Sequence, residues 1–250
     1  KKAEAGQMLK NSLLINGAMG VLLSLLMLFL LFHIDSLNQP EELIPYIVPY
    51  YVLQLFSLVV AMLFNSFKQF SDGSTDTVTP MWIMLASNLL NIIGNYFLIY
   101  GNAGAPELGL TGAGLSTLFS RIFCLAVFCW LFWRKAKYAD YRNGFAQGSL
   151  CRADLKELSR LGVPIGFQMG VESASFSLSV IMMGWLGSAA LAAHQVVGVI
   201  TTLGFMVYYG IAAAVTIRVS QFYQLADWGN VRRSSFAGLH IITAVALCVM

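Results

Sequence analysis

Charge is what this sequence has little of. Asp, Glu, Lys and Arg make up 11% of its 250 residues, against about 25% in an ordinary soluble domain. Cysteine is scarce too. Cys124, Cys129, Cys151 and Cys248 are the four, with no CxxC pair and no Cys/His spacing suited to a metal. All four fall in apolar runs or on the side expected to face the cytoplasm, which argues against a disulfide framework. No Walker A loop, HExxH, GxSxG or glycine-rich loop after a strand occurs. The motifs of an enzyme, and of ATP-driven transport by this chain alone, are therefore missing. The basic residues form no patch suited to nucleic acid. No enzymatic function, cofactor or structural metal is expected.

What is present is apolar surface in long runs. Hydrophobic residues make up 58% of the chain and the mean hydropathy is +0.71. A bilayer-spanning helix needs about 20 mostly apolar residues. Six runs meet that length: Ser12–Ile34, Ile44–Phe67, Met81–Tyr100, Leu110–Trp133, Val163–Leu186 and Ala189–Ile217. A seventh, Ser235–Met250, is still apolar at the last residue. The expected fold class is an all-α polytopic membrane protein. The chain opens on Lys1-Lys2 and closes inside a helix, so a piece of a larger protein is expected.

Basic residues set the expected orientation, because Lys and Arg accumulate in cytoplasmic loops. Residues 1–11, 68–80, 134–160 and 218–234 hold 14 of them. The intervening stretches 35–43, 101–109 and Gly187-Ser188 hold none, and the fifteenth, Arg121, lies within an apolar run. The four basic segments are expected in the cytoplasm, with the protein integral to the plasma (inner) membrane. The 134–160 segment reads as a boundary between two bundles. Its first half is polar. Its second half sets Leu155, Leu158 and Leu161 at helical spacing, as in a short amphipathic helix on the membrane surface. Pro164 is expected in the first turn of the next helix.

The run 163–186 carries one charge, Glu172. Gly162, Gly166, Gly170 and Ala174 recur every four residues, a ridge that allows close helix approach. At 100° per residue, Glu172 lies about 160–200° from Gly170 and Ala174. Gln168, Met169, Ser175, Phe176, Ser179 and Met183 share the Glu172 face, as does Ile165. Polar atoms beside Met and Phe suit a water-accessible cavity for varied apolar ligands. An ionisable residue at membrane depth marks an ion or substrate path. Glu172 could bind and release a proton or ligate Na⁺, and either would serve as a coupling switch. A glutamate that merely joins helices is the plainer reading.

Other polar positions extend the candidate cavity. His194, Thr201 and their neighbour Gln195 lie along the next helix. Asn88, Asn91 and Asn95 fall on one face at i, i+3 and i+7, as interhelical glue or cavity lining. Tyr50, Gln54 and Ser57 lie near one face below Pro45 and Pro49. Arg121 is expected to snorkel or to bond backbone carbonyls.

The segments "LGVPIG", "VESASF", "MMGWLGSAALAAHQ" and "GIAAAVTIRVSQ" resemble the seventh and eighth helices of the multidrug and toxic compound extrusion (MATE) transporters. "FSDGSTDTVTPMW" and "GLTGAGLSTLFSR" are similar to that family's fourth-to-fifth helix loop and sixth helix. The resemblance implies a two-lobe, six-plus-six helical transporter fold, of which helices three to nine, about seven, are present. It implies residues 1–137 at the end of the N-terminal lobe, 138–161 as an inter-lobe linker and 162–250 at the start of the C-terminal lobe. Glu172 matches the family's seventh-helix glutamate, and His194 with Gln195 its "AAHQ" motif. "VSQFYQ" stands where members often have a glycine-rich "VGQ-x-x-G". The implied function is secondary active export of small amphipathic, cationic compounds by H⁺ or Na⁺ antiport, with membrane lipids as surroundings and a monomeric state. A lipid-linked precursor or polysaccharide flippase of the same superfamily is the alternative. A seven-helix receptor ranks lower, and so does an intramembrane hydrolase pairing Glu172 with His194.

Overall fold

A computed structural model of the chain describes residues 2–33, 44–104, 106–148 and 152–249. Every regular element among them is helical. The α-helices are α1 (Lys2–Phe32), α2 (Ile44–Gly73), α3 (Val78–Leu98), α4 (Gly109–Arg134), α5 (Ala139–Gln147), α6 (Arg152–Trp185), α7 (Ser188–Gln224) and α8 (Trp228–Val249). The chain divides into two compact units, Lys1–Leu158 and Ser159–Met250. The acidic loop 35–43 and Cys151 lie outside the described residues.

Five helices are long and apolar enough to cross a membrane: Lys2–Phe32, Ile47–Gly73, Val78–Leu98, Gly109–Arg134 and Ala189–Gln224. Two of the expected runs fall short of that hydropathy. Val163–Leu186 is helical but diluted by Gln168, Glu172 and four serines, and α8 opens on the polar stretch "WGNVRRSS". A third expectation also changes. The amphipathic stretch 155–161 is no separate surface helix. It runs unbroken into α6, and Pro164 sits inside that helix instead of in its first turn. Proline removes one helical hydrogen bond, but "ADLKELSRL" before it is rich in strong helix formers, and the helix continues through.

In the first unit, α4 is the central element, packed against both α2 and α3. Its buried residues include Gly112, Ser116, Ser120, Cys124, Phe128 and Phe132, one i, i+4 ridge that grades from no side chain to a phenyl ring. Helices can come close at the small end and must diverge at the large one. At the small end a Cβ on Gly112 would run into the backbone carbonyl of Leu98. There Ser116 Oγ donates to Asn91 O at 2.9 Å and Ser87 Oγ to Ser120 O at 2.8 Å. At the wide end an aromatic column fills the gap. Phe67 lies 5.3 Å from Phe128 and 5.9 Å from Phe132, ring to ring, and Phe70 lies 5.9 Å from Phe132. Tyr138, fully buried, joins it 5.7 Å from Phe132.

The first half of the expected linker is structured. It forms α5, which crosses α1 so closely that Gly6 faces the carbonyl of Tyr141 and Gly144 the carbonyl of Ala3. Any Cβ at either position would strike backbone. Lys10 Nζ donates to Gly148 O at 2.7 Å. Asp154 Oδ2, in the first turn of α6, accepts from Gln7 Nε2 at 2.9 Å and Asn11 Nδ2 at 3.0 Å.

One turn design recurs at α2–α3 and α7–α8. A non-glycine residue sits in the left-handed region, Thr75 at φ 68° and Ala226 at φ 53°. The following aspartate N–H reaches back to a helical carbonyl, Asp76 to Ser71 O at 2.9 Å and Asp227 to Phe222 O at 3.0 Å. The aspartate side chain then accepts from the backbone N–H three residues on, Thr79 at 3.3 Å and Asn230 at 3.1 Å, and so caps the next helix. In the second unit, α8 packs on α7, with Gly238 against the side chain of Val215.

Candidate functional site

The expected coupling residue, Glu172, lies in the C-terminal half of α6. Residues 161–179 of this helix are all exposed, Glu172 with them. Among the described residues no side chain bonds to its carboxylate. The hydroxyls on its face are satisfied by their own helix: Ser175 Oγ donates to Val171 O and Ser179 Oγ to Ser175 O, both at 2.9 Å. That is how serine satisfies itself inside a helix when no outside partner competes. Gln168, Met169, Phe176 and Met183 stand on the same helix face, as the spacing requires. The opposite ridge of Gly162, Gly166 and Gly170 meets no atom within 4 Å of a Cβ position, so no helix of the described residues uses it.

On α7 the pattern is similar. Thr201 Oγ1 donates to Val197 O at 2.8 Å. His194 is half-buried and Gln195 exposed.

The asparagines of α3 divide into two roles. Asn91 Nδ2 donates to Ser116 Oγ at 3.3 Å, and Asn95 Nδ2 to Asn91 Oδ1 at 3.3 Å. The first bond ties α3 to α4, and the second, within α3, braces the Asn91 side chain. Asn88 instead lines a cavity of about 200 Å³ among α2, α3 and α4, together with Asn65, Ser87 and Arg121.

Arg121 departs from its expected role. It stands twelve residues into the 26-residue α4, about 18 Å from either end at 1.5 Å per residue, too deep to snorkel. Its Nη1 donates to Ser57 Oγ of α2 at 2.7 Å, a side chain and not a backbone carbonyl. Ser57 is fully buried. The sequence singled out both residues, but their pairing across 64 positions exists only in the fold.

A second polar cluster went unread in the sequence. At the turn between α2 and α3, the buried Asp76 carboxylate accepts from Thr79 Oγ1 at 2.9 Å, Tyr138 OH at 2.7 Å and Lys137 Nζ at 3.1 Å. Burial pushes this carboxyl up, but the bonds from Tyr138, Lys137 and Thr79 outweigh it and hold the group at about 2. Burial and the bond to Asp76 push the Tyr138 phenol up to about 12. The signal was present, a turn of "SDGSTD" ahead of a proline, but its partner lies 62 residues away. Among the described residues no group of three or more His, Cys, Asp or Glu side chains could hold a metal.

Comparison with known proteins places these features. The family model MatE matches residues 1–97 and 164–250. A probable multidrug resistance protein NorM of Pseudomonas syringae pv. tomato is 32% identical over 203 residues, 81% of this chain and 44% of that protein. One of Pseudomonas putida is 38% identical over 178 residues, 70% and 37%. The chain thus spans less than half the length of these curated relatives. Among solved structures, an outward-facing multidrug resistance MATE family transporter of the MOP superfamily superposes at TM-score 0.73 with 22% identity, over 99% of this chain and 60% of that one. A MOP superfamily transporter from Pyrococcus furiosus superposes at 0.72 with 23% identity, over 99% and 59%. The membrane-length helices, the fold and the match over both of its units agree: this integral, multi-pass membrane chain belongs to the MATE family.

Proposed function

We propose that the protein is a secondary active exporter of small amphipathic compounds, driven by cation antiport through alternating access, with Glu172 as the coupling carboxylate. One observation carries this reading: within the apolar stretch Val163–Leu186, in a chain of the MATE family, Glu172 is the sole charge. A carboxylate at membrane depth is expensive to keep charged. A proton or Na⁺ bound in one conformation and released in the other neutralises it in turn. The gradient of that ion then drives the cycle. Gln168, Ser175 and Phe176 beside it would line substrate or ion space, with His194 and Gln195 on α7. In this reading the protein would act as a monomer in the lipid bilayer, and the carried compounds would be cationic.

The test uses the native protein in everted membrane vesicles. Efflux of a fluorescent cationic dye is followed under an imposed pH or Na⁺ gradient, for wild type and Glu172→Gln. Gradient-driven efflux that disappears in the variant, at equal protein level, is the expected outcome, and the effective gradient names the ion. Unchanged efflux in Glu172→Gln returns this residue to helix packing. Wild type that moves no dye under either gradient overturns the exporter reading in favour of a lipid-linked precursor flippase.

A further inference from the structure

We propose that the cavity among α2, α3 and α4 is a binding site for the anionic group of an amphiphile, a carboxylate or phosphate, held by Arg121. As a site for carried compounds it rests on the exporter reading above, and it extends that reading to zwitterionic and anionic substrates.

The argument begins with charge. Residues 11–32 of α1, 44–67 of α2, all of α3 and residues 109–133 of α4 contain a single charged side chain, Arg121. The two acids of the α2–α3 turn are already paired, Asp72 with Lys68 at 3.8 Å and Asp76 with Lys137 at 3.1 Å. Among the described residues Arg121 has no carboxylate partner. Its one hydrogen bond uses Nη1, toward Ser57. A guanidinium carries five N–H donors in a planar fork and stays protonated. A charge held this deep is costly unless it is paired, so the remaining donors call for an anion.

The cavity supplies the rest of such a site. Ser57 anchors one edge of the guanidinium and fixes its position. Asn65 on α2 and Asn88 on α3 bring two carboxamides to the lining, each with N–H donors that no described residue uses. Phe64 and Met84 line the same space and suit an apolar body. No carboxylate lines it. An arrangement rich in donors and free of acid favours an anion over the cation expected at Glu172. Arginine with a carboxylate or phosphate is the bidentate pairing its geometry fits.

The native protein, reconstituted in phosphatidylcholine nanodiscs, tests this through equilibrium fluorescence anisotropy. The probes are a rhodamine bearing a free carboxylate and its methyl ester, equal in ring system and size. Wild type is expected to bind the acid about tenfold more tightly than the ester, the scale of one charge-assisted bond. Arg121→Gln should erase that preference. Arg121→Lys should retain part of it, since the charge stays and the fork is lost. Asn88→Leu, which leaves the Ser57 bond intact, should reduce it about threefold. Wild type with no preference for the acid overturns the proposal, as does Arg121→Gln that keeps it. An ester that binds as well as the acid sinks the anion site alone, whereas failure of both probes to bind sinks the exporter reading with it. Replacing half the lipid with phosphatidylglycerol separates the two sources of the anion. Displacement of the acid dye from wild type assigns the site to the headgroup of an anionic lipid. Undiminished binding assigns it to the carried compound.

Discussion

Replacing Tyr138 with phenylalanine removes one hydroxyl from a site where every neighbour is fixed. The ring would keep its place in the aromatic column, 5.7 Å from Phe132 and 6.4 Å from Phe128. What disappears is the 2.7 Å bond to Asp76 Oδ2. Asp76 is 6% exposed, so water cannot readily replace the lost donor. A hydrogen bond to a charged group contributes about 1.5–3 kcal/mol. The acid chemistry supports that scale. A carboxyl held at about 2 instead of 3.8 has its charged form favoured by about 2 kcal/mol even after the burial that opposes its bonds. The expected loss for Tyr138→Phe is therefore about 2 kcal/mol. For a unit of this size that corresponds to roughly 4–8 °C in Tm. Its sign with pH follows from the depressed carboxyl. The stabilisation is fully present above about pH 4 and is lost as pH falls through about 2, because protonation removes the charge the donors favour. The gap between wild type and variant should thus be widest at pH 5 and above and should narrow toward pH 2. The assay is thermal unfolding of the detergent-solubilised protein between pH 2.5 and 7, read by intrinsic fluorescence. A variant within 1 °C of wild type at pH 7, or a gap that does not shrink on acidification, would refute the reasoning.

Four further outcomes are expected from the same unfolding assay and from proteolysis. Thr75→Gly should raise stability by about 1 kcal/mol, because a β-branched residue at φ 68° occupies a region glycine reaches without strain; a loss of stability would contradict the turn geometry. Asp154→Ala should cost about 2–3 kcal/mol, since it strands the fully buried Asn11, whose Oδ1 already lacks a described partner. Gln7→Ala, which removes the part-buried donor and leaves Asn11 bonded, should cost about 1 kcal/mol. Gly144→Ala should free α5 from α1, because the added carbon meets the backbone of Ala3 and backbone cannot step aside as a side chain can. Faster trypsin cleavage at Lys137 and Arg142 would show this, and wild-type cleavage rates would count against the close crossing.

Much of the fold was readable because the bilayer simplifies the pattern. Length and apolarity alone mark helices, so five of the expected spans coincide with helices of membrane-crossing character. Where polar residues dilute a span, as in 163–186, hydropathy and helix formation part ways and only the helix survives. The break expected before Pro164 failed for a related reason. The local signal of a proline yields here to the helix propensity of "ADLKELSRL" upstream of it. The candidate sites divide along a different line. Asn91 and Asn95 could be placed because their partners lie one turn away or on the next helix. Asp76–Tyr138 and Ser57–Arg121 could not, because 62 and 64 residues separate the partners and no local period connects them.

Yet both pairs left a trace of one kind, a polar or charged group where the surrounding chemistry makes it costly. Arg121 is the lone charge in α4 between its ends, and Asp76 is the second acid of a turn that Lys68 alone precedes nearby in sequence. In an apolar chain such a group must find a partner or a ligand. Asp76 has found four bonds from three residues, which makes it architecture. Arg121 has found one, and a guanidinium with donors to spare beside two unused carboxamides is the arrangement of a site. The difference between a structural charge and a functional one is how much of its hydrogen-bonding capacity the fold itself consumes.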